Sequence, residues 1–228
     1  MIRAIVFDLD DTLIDTTGQL VVPAHQEAAA AMIAAGLEAS VQEVAEKRLD
    51  FARAAPLEEV DLRTAAFFGA KDVAAVAAAG HTAYFGRRVR SLSAWPFVAG
   101  VLEGLSDRAL FLVTAGFERT QRKKLELAGL ERFFQGVEVV PVGGDKGVAM
   151  ARMCRDFGFD SCLAVGDRID GEIEAGRRLG MWTARVAAGE GQYASPQNEW
   201  QRPHYTIPSV EAVPSVIEDI EAGGEGPG

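Results

Sequence analysis

The sequence predicts an α/β protein whose core is a doubly wound parallel sheet carrying an inserted all-helical domain. From Trp95 onward, short apolar runs rich in β-branched residues alternate with helix-like segments, which is typical of βαβ units. Between residues 23 and 91 the chain is instead rich in alanine, with helical periodicity and little strand character. The 228 residues, 48% hydrophobic and 25% charged, can bury one sizeable core with a modest insertion.

Each strand of the core is predicted from a short apolar run that is bounded by polar or turn-forming residues. The runs fall at residues 2–7, 110–115, 137–142, 162–166 and 182–187, with a short edge strand at 205–207. Helices are predicted between them, over residues 118–128 and 146–157 and from Asp167 to Gly180. Gly129 ends the first of these helices.

Four helices are predicted in the insertion. Pro23 opens the first, and Ser40 with Glu43 forms a capping box at the start of the second. Pro56 and a break at residues 69–71 delimit two more, although Gly80 weakens the helical pattern of the last. The predicted domains are a discontinuous α/β core at residues 1–14 and 96–222, a helical domain at 15–95 and a flexible tail at 223–228.

The charge of the chain restricts its partners. A net charge of −10 argues against a nucleic-acid backbone or an anionic membrane as the main partner. No apolar run approaches the roughly 18 residues of a membrane span, and the N-terminus lacks signal-peptide character, so a cytoplasmic location is expected. Cys154 and Cys162 lack metal-ligand spacing and are expected to be reduced thiols near the core.

Two carboxylates follow the first predicted strand, at Asp8 and Asp10. Side chains at the carboxyl end of a parallel strand lie where open α/β sheets bind their ligands. Burying unpaired carboxylates is costly, so a cation is expected between them, and the hard ion Mg²⁺ is the natural candidate. A carboxylate such as Asp8 can also attack phosphorus, and one such as Asp10 can serve as a general acid and base.

Four strand ends together resemble the motifs of the haloacid dehalogenase-like superfamily, whose members are mostly phosphatases. They appear in the family's order as Phe7-Asp8-Leu9-Asp10-Asp11-Thr12-Leu13, Thr114-Ala115-Gly116, Lys146, and Val165-Gly166-Asp167-Arg168-Ile169-Asp170-Gly171-Glu172. Two details depart from the pattern. The nucleotidase-like branch that the second motif resembles usually has asparagine after the threonine, where this chain has Ala115, and the final acid of the fourth motif is Glu172 rather than aspartate. Lys123 and Lys124 precede the third strand and suit the motif lysine less well than Lys146.

The resemblance implies a Rossmann-like core, a helical cap that closes over the site, and phosphatase activity on a small phosphorylated metabolite. It implies that Mg²⁺ is held by the Asp8 and Asp167 carboxylates and the Asp10 backbone carbonyl. Asp8 would be the nucleophile that forms an aspartyl-phosphate, and Asp10 the acid and base. Thr114 and Lys146 would stabilise the phosphoryl oxygens. Asp170 and Glu172 would hold a metal-bound water or Lys146.

Three other functions stay open from the sequence. A sugar phosphomutase has the same four motifs and differs mainly in its cap. A 2-haloacid dehalogenase uses the same nucleophile, but Asp10 argues against it because those enzymes lack a carboxylate there. A non-catalytic relative is the third alternative, which the retained motif residues disfavour. Nucleotides, sugar phosphates and phosphoglycolate all remain possible substrates, and the sequence does not indicate an oligomeric state.

Overall fold

The chain forms two compact units in a computed structural model that describes residues 1–87 and 89–223. One unit combines Met1–Thr16 with the chain from Ser91 onward, and the other is Thr17–Arg90. Residues 224–228 of the predicted tail lie outside the described residues. In the described part of the chain, no helix is both long and apolar enough to cross a membrane.

The second unit is helical. Its helices are α1 (Val22–Ala34), α2 (Val41–Ala54), α3 (Leu57–Phe67) and α4 (Val73–Gly86). The predicted capping box is confirmed, because the Glu43 amide donates to Ser40 Oγ at 3.2 Å and the Ser40 amide donates to Glu43 Oε2 at 3.0 Å.

Gly80 lies inside α4 without interrupting it. A Cβ at this position would lie 2.5 Å from Asp61 Oδ1 and 2.7 Å from Met32 Cγ. The glycine that weakens the helical pattern in the sequence therefore lets α4 approach these two side chains closely. Asp61 in turn forms a buried ion pair with Arg48.

The first unit contains a six-stranded, wholly parallel sheet in the order β3-β2-β1-β4-β5-β6. The predicted doubly wound core is confirmed. Its strands are β1 (Ala4–Phe7), β2 (Ala109–Ala115), β3 (Gly136–Val140), β4 (Cys162–Gly166), β5 (Trp182–Val186) and β6 (Tyr205–Ile207). β3 ends before its predicted limit because Pro141 has no amide N–H with which to continue the ladder.

Helices precede, connect and follow the strands after β1. They are α5 (Val98–Gly104), α6 (Glu118–Leu127), α7 (Lys146–Cys154), α8 (Glu174–Leu179) and α9 (Val213–Glu221). The helix predicted from Asp167 to Gly180 is a regular α-helix only in its second half. Residues Ile169–Ile173 form a wider turn in which Gly171 has non-helical angles, φ −110° and ψ −109°.

β1 is the central strand for function. It pairs with β2 on one side and β4 on the other, so that Phe7 lies beside both Leu112 and Val165. The chain passes from β1 through β2 to β3 on one side and then crosses back to β4, β5 and β6 on the other, so the strand order reverses between β1 and β4 and a crevice opens at their carboxyl ends. The Asp8 amide continues the ladder by donating to the Val165 carbonyl at 2.9 Å. The side chains that follow β1, β2 and β4 are thereby brought to one edge.

Candidate active site

A cavity of about 760 Å³ opens at the carboxyl edge of the sheet. All five residues that the sequence assigned to the site contribute to its lining, namely Asp8, Asp10, Thr114, Lys146 and Asp167. Strand ends supply the acids and the threonine, whereas Lys146 is the first residue of α7. Four of the five are buried, and Asp10 is partly exposed.

Lys146 joins two carboxylates in the floor of the cavity. Its Nζ donates to Asp8 Oδ1 and to Glu172 Oε2, each at 2.7 Å. Burial alone would lower the pKa of the lysine, but Asp8 and Glu172 outweigh that effect and hold its pKa above the usual value. Lys146 is therefore a fixed positive charge at the end of β1.

The acids of this floor outnumber the positive charge near them. Burial, with smaller contributions from Glu172 and Asp10, raises the pKa of Asp8 to about 7 even though Lys146 opposes the shift. Burial, followed by the charges of Glu172, Asp8 and Asp11, raises the pKa of Asp167 to about 9. The site thus favours additional positive charge, because each buried carboxylate makes ionisation of the next more costly.

Three carboxylates of the floor could share one cation. Asp8, Asp167 and Glu172 each offer an oxygen within 4.8 Å of the others. Asp167 Oδ1 is buried without a hydrogen-bond partner in the described part of the chain, whereas both Glu172 oxygens accept hydrogen bonds, from Lys146 and from the Arg168 amide. Mg²⁺ prefers hard oxygen ligands, and Asp167 could offer it a carboxylate oxygen that has no hydrogen-bond partner among the described residues.

Glu172 reaches the floor because the chain bends at Gly171. The bend brings Glu172 back over Gly166, the last residue of β4, where an added Cβ would overlap the glutamate side chain. Asp170 instead pairs with the Arg168 guanidinium at 2.9 and 3.1 Å and is exposed. Of the two acids predicted to support Lys146, only Glu172 contacts it.

Asp10 is held by a different set of donors on the other side of the cavity. Its Oδ1 accepts from Lys124 Nζ at 2.6 Å and from Thr16 Oγ1, and its Oδ2 accepts from Gln121 Nε2 at 2.7 Å. Burial raises the pKa of Asp10, but the Lys124 charge and these three hydrogen bonds outweigh it, so the net shift is downward. Asp10 is therefore an ionised carboxylate in this state.

The sequence assigns none of these three donors to Asp10. It gives Gln121 no catalytic role and makes Lys124 a weaker candidate than Lys146 for the motif lysine. Gln121 and Lys124 belong to the same helix. The two lie three residues apart on α6, hence on one face of that helix. Because α6 follows β2 directly, its early residues stay near the carboxyl edge, which is the signal that could have identified them.

Comparisons with known proteins show to which family the chain is similar. A haloacid dehalogenase-like hydrolase family model matches residues 2–180. The glyceraldehyde 3-phosphate phosphatase of Methanopyrus kandleri is 29% identical over 96% of this chain and 99% of its own. The N-acylneuraminate-9-phosphatase of Rattus norvegicus is 25% identical over 96% and 95%.

Solved structures share the same fold. YfnB from Bacillus subtilis, which was crystallised with magnesium, superposes with a TM-score of 0.64 at 18% identity, over 95% of this chain and 98% of its own. Together with the family model, and with the acids, threonine and lysine at the carboxyl edge of the sheet, this likeness identifies the chain as a member of the haloacid dehalogenase-like hydrolase family.

Proposed function

We propose that this hydrolase is a Mg²⁺-dependent phosphatase that cleaves a small phosphomonoester through an aspartyl-phosphate on Asp8. The observation that carries the proposal is that the two acids that follow β1, Asp8 and Asp10, are held by different partners. Asp8 is paired with the buried ammonium of Lys146, and Asp10 is held apart from it by donors from α6. Two carboxylates in different environments can serve as nucleophile and as acid and base.

In the first step Asp8 attacks the phosphorus atom in line with the departing alcohol. Its position at the end of β1 is fixed by the hydrogen bond that its backbone amide donates to the Val165 carbonyl and by the contact of its carboxylate with Lys146. Lys146 carries the positive charge that offsets the phosphoryl oxygens, and the Thr114 hydroxyl donates to one of them. Asp10, which is ionised in the free site, first takes a proton from solvent and transfers it to the alcohol oxygen as the bond between that oxygen and phosphorus breaks.

In the second step water attacks the aspartyl-phosphate and phosphate leaves. Asp10 is the base for this step, and its lowered pKa keeps the carboxylate ready to accept a proton from water. The Asp8 carboxylate is regenerated when the bond between its oxygen and phosphorus breaks.

The Asp8 and Asp167 carboxylates would hold Mg²⁺, with the Asp10 backbone carbonyl as a further oxygen ligand. The unsatisfied Oδ1 of Asp167 and the surplus of buried acids support this assignment, as does the magnesium in YfnB. When bound, Mg²⁺ supplies charge that ionises Asp8 and neutralises a phosphoryl oxygen.

The relatives support a phosphorylated metabolite as substrate. The two curated proteins are named for glyceraldehyde 3-phosphate and N-acylneuraminate 9-phosphate, both small phosphomonoesters. They differ enough that we propose the substrate class and not one compound. Two macromolecular partners, nucleic acid and an anionic membrane, are disfavoured by the net charge of −10.

The alternatives differ from this proposal in their products. A 2-haloacid dehalogenase has no need of the carboxylate at Asp10, which here is held by three side chains. A sugar phosphomutase would keep the phosphate on a sugar product instead of releasing it. A non-catalytic relative has no need of the Asp8–Lys146 pair.

Phosphate release from p-nitrophenyl phosphate, followed by a panel of phosphorylated metabolites, tests the proposal. We expect activity that requires added Mg²⁺, is abolished by EDTA and is restored by excess Mg²⁺. Asp8→Asn should abolish turnover and leave the thermal stability near that of the wild type. Asp219→Asn, which lies outside the cavity, should retain turnover. Unchanged turnover by Asp8→Asn, or chelator-resistant halide release from 2-chloropropionate, would refute the proposal.

A further inference from the structure

We infer that Gln121 is a positioning residue, whose carboxamide fixes the direction of the Asp10 carboxylate in the cavity. The inference rests on the proposed phosphatase chemistry, in which Asp10 activates water. Gln121 Nε2 lies 2.7 Å from Asp10 Oδ2, 2.8 Å from Thr114 Oγ1 and 2.8 Å from the Ala115 carbonyl oxygen. The side chain is buried, with only 3% of the residue exposed.

The chemistry of its neighbours fixes the orientation of this amide. An ionised carboxylate and a backbone carbonyl can only accept hydrogen bonds, so the group that faces them must be the NH₂ and not the oxygen. The two hydrogens of that NH₂ are directed at these two acceptors, so Thr114 Oγ1, 2.8 Å from the same nitrogen, can only share one of them. The amide of Gln121 therefore acts on the Asp10 carboxylate and the Ala115 carbonyl.

The effect on Asp10 follows from which oxygen each donor holds. Lys124 and Thr16 both bind Oδ1, and among the described residues the hydrogen bond to Oδ2 comes from Gln121. Rotation about the Cβ–Cγ bond moves both oxygens, so the donors on Oδ1 already oppose it. The donor on Oδ2 holds the opposite side of the carboxylate and narrows the rotation further, so the lone pairs that accept a proton from water keep one direction.

The backbone before α6 is adapted to this side chain. Gly116 has a φ of +149°, which disfavours residues that carry a side chain. A Cβ there would lie 3.1 Å from Gln121 Cγ and 3.2 Å from its Cδ, closer than ordinary contacts. Gly116 therefore leaves the space through which Gln121 reaches the strand ends.

The test separates the two chemical steps. With p-nitrophenyl phosphate the leaving group needs little protonation, so the first turnover reports attack by Asp8 and the steady state reports hydrolysis assisted by Asp10. Stopped-flow measurements on Gln121→Met should show a first p-nitrophenol release close to that of the wild type. The steady-state rate should fall roughly 10- to 100-fold, within the range of general-base contributions.

Lys123→Met provides the matched control, since Lys123 is exposed on the same helix and pairs with Glu126. It should leave both phases unchanged. Gln121→Leu, which also lacks the donor but differs in shape, should reproduce the pattern and decides the question if the methionine variant misfolds. Equal loss in both phases, or no loss in either, would overturn the positioning role. Absence of phosphate release by the wild type would instead refute the phosphatase proposal itself.

Discussion

Lys146 Nζ lies 2.7 Å from Asp8 Oδ1, and both groups are buried at the end of β1. Breaking such a pair by removing one partner leaves an uncompensated buried charge, which is far costlier than losing an exposed ion pair. Removal of Lys146 would leave two buried carboxylates without this charge, because the same ammonium also neutralises Glu172. Asp8→Asn is the milder change, since Lys146 then stays paired with Glu172.

We predict that Lys146→Met lowers kcat/KM for phosphate release by about 100- to 1000-fold, as loss of a charge-stabilising donor does elsewhere. The pKa of Asp8 should rise, because the ammonium that opposes its burial is gone. Steady-state kinetics across pH measures both effects. Lys123→Met is the control, and a loss equal in the two variants would contradict the prediction.

Gly166→Ala should damage the same cluster without removing any charge. The new Cβ would overlap Glu172, so the glutamate must move away from Lys146 or β4 must shift. Overpacking of this kind costs about 1–3 kcal/mol. The melting temperature and the rate of phosphate release should both decline. Gly104→Ala, where nothing lies within 4 Å of the added atom, should change neither, and equal behaviour of the two variants would exclude a specific clash.

Two glycines of α4 provide an independent test of packing in the helical unit. Gly80→Ala should lower the free energy of unfolding by about 1–3 kcal/mol, because its Cβ would press on Asp61 and Met32. Gly86→Ala, at the open end of the same helix, should be neutral or stabilising by up to about 1 kcal/mol. Urea denaturation compares them, and stabilisation by both variants would show that the close approach at Gly80 is relaxed in solution.

His204 should make the protein less stable in mild acid. Burial, followed by the nearby Arg177 charge, lowers the pKa of His204 from 6.5 to about 4, and its Nδ1 accepts from the Thr183 amide at 3.0 Å. Below pH 6.5 the unfolded chain therefore binds a proton that the folded chain excludes. The free energy of unfolding falls as the pH drops towards 4, and this contribution levels off below that value.

His204→Gln removes that titration while keeping a side chain that can accept from Thr183. Urea denaturation of both proteins between about pH 7.5 and 4.5 measures how the free energy of unfolding of each depends on pH. The other titrating groups are the same in both proteins, so their contributions to the difference cancel. The curves should converge as the pH falls, because the wild type loses more stability than the variant. Parallel curves would show that His204 does not contribute.

The strand-end residues of the site could be predicted from the sequence because their placement depends on topology alone. Asp8, Thr114 and Asp167 each follow or end a buried apolar run, and the carboxyl ends of parallel strands meet at one edge. The contacts of Gln121 and Lys124 depend instead on how α6 is rotated about its axis. No periodicity in the sequence fixes that rotation relative to β1.

The acidic loop after β4 shows a second limit. Asp170 and Glu172 are both acids, and a regular helix would place them on nearly opposite faces without fixing which of them faces the cavity. The non-helical angles at Gly171 turn Glu172 inward and leave Asp170 beside Arg168. A glycine can adopt many backbone conformations, so the sequence permits this bend without requiring it.

The parallel order of the sheet determines when the site forms during folding. Asp8 meets Lys146 across 138 positions of sequence, and Asp10 meets Lys124 across 114. Such distant partners come together late, after the intervening chain has closed its loops. Catalytic competence should therefore emerge only with the complete core. An N-terminal fragment that ends before α7 would carry both acids of β1 and still lack the ammonium that one of them needs.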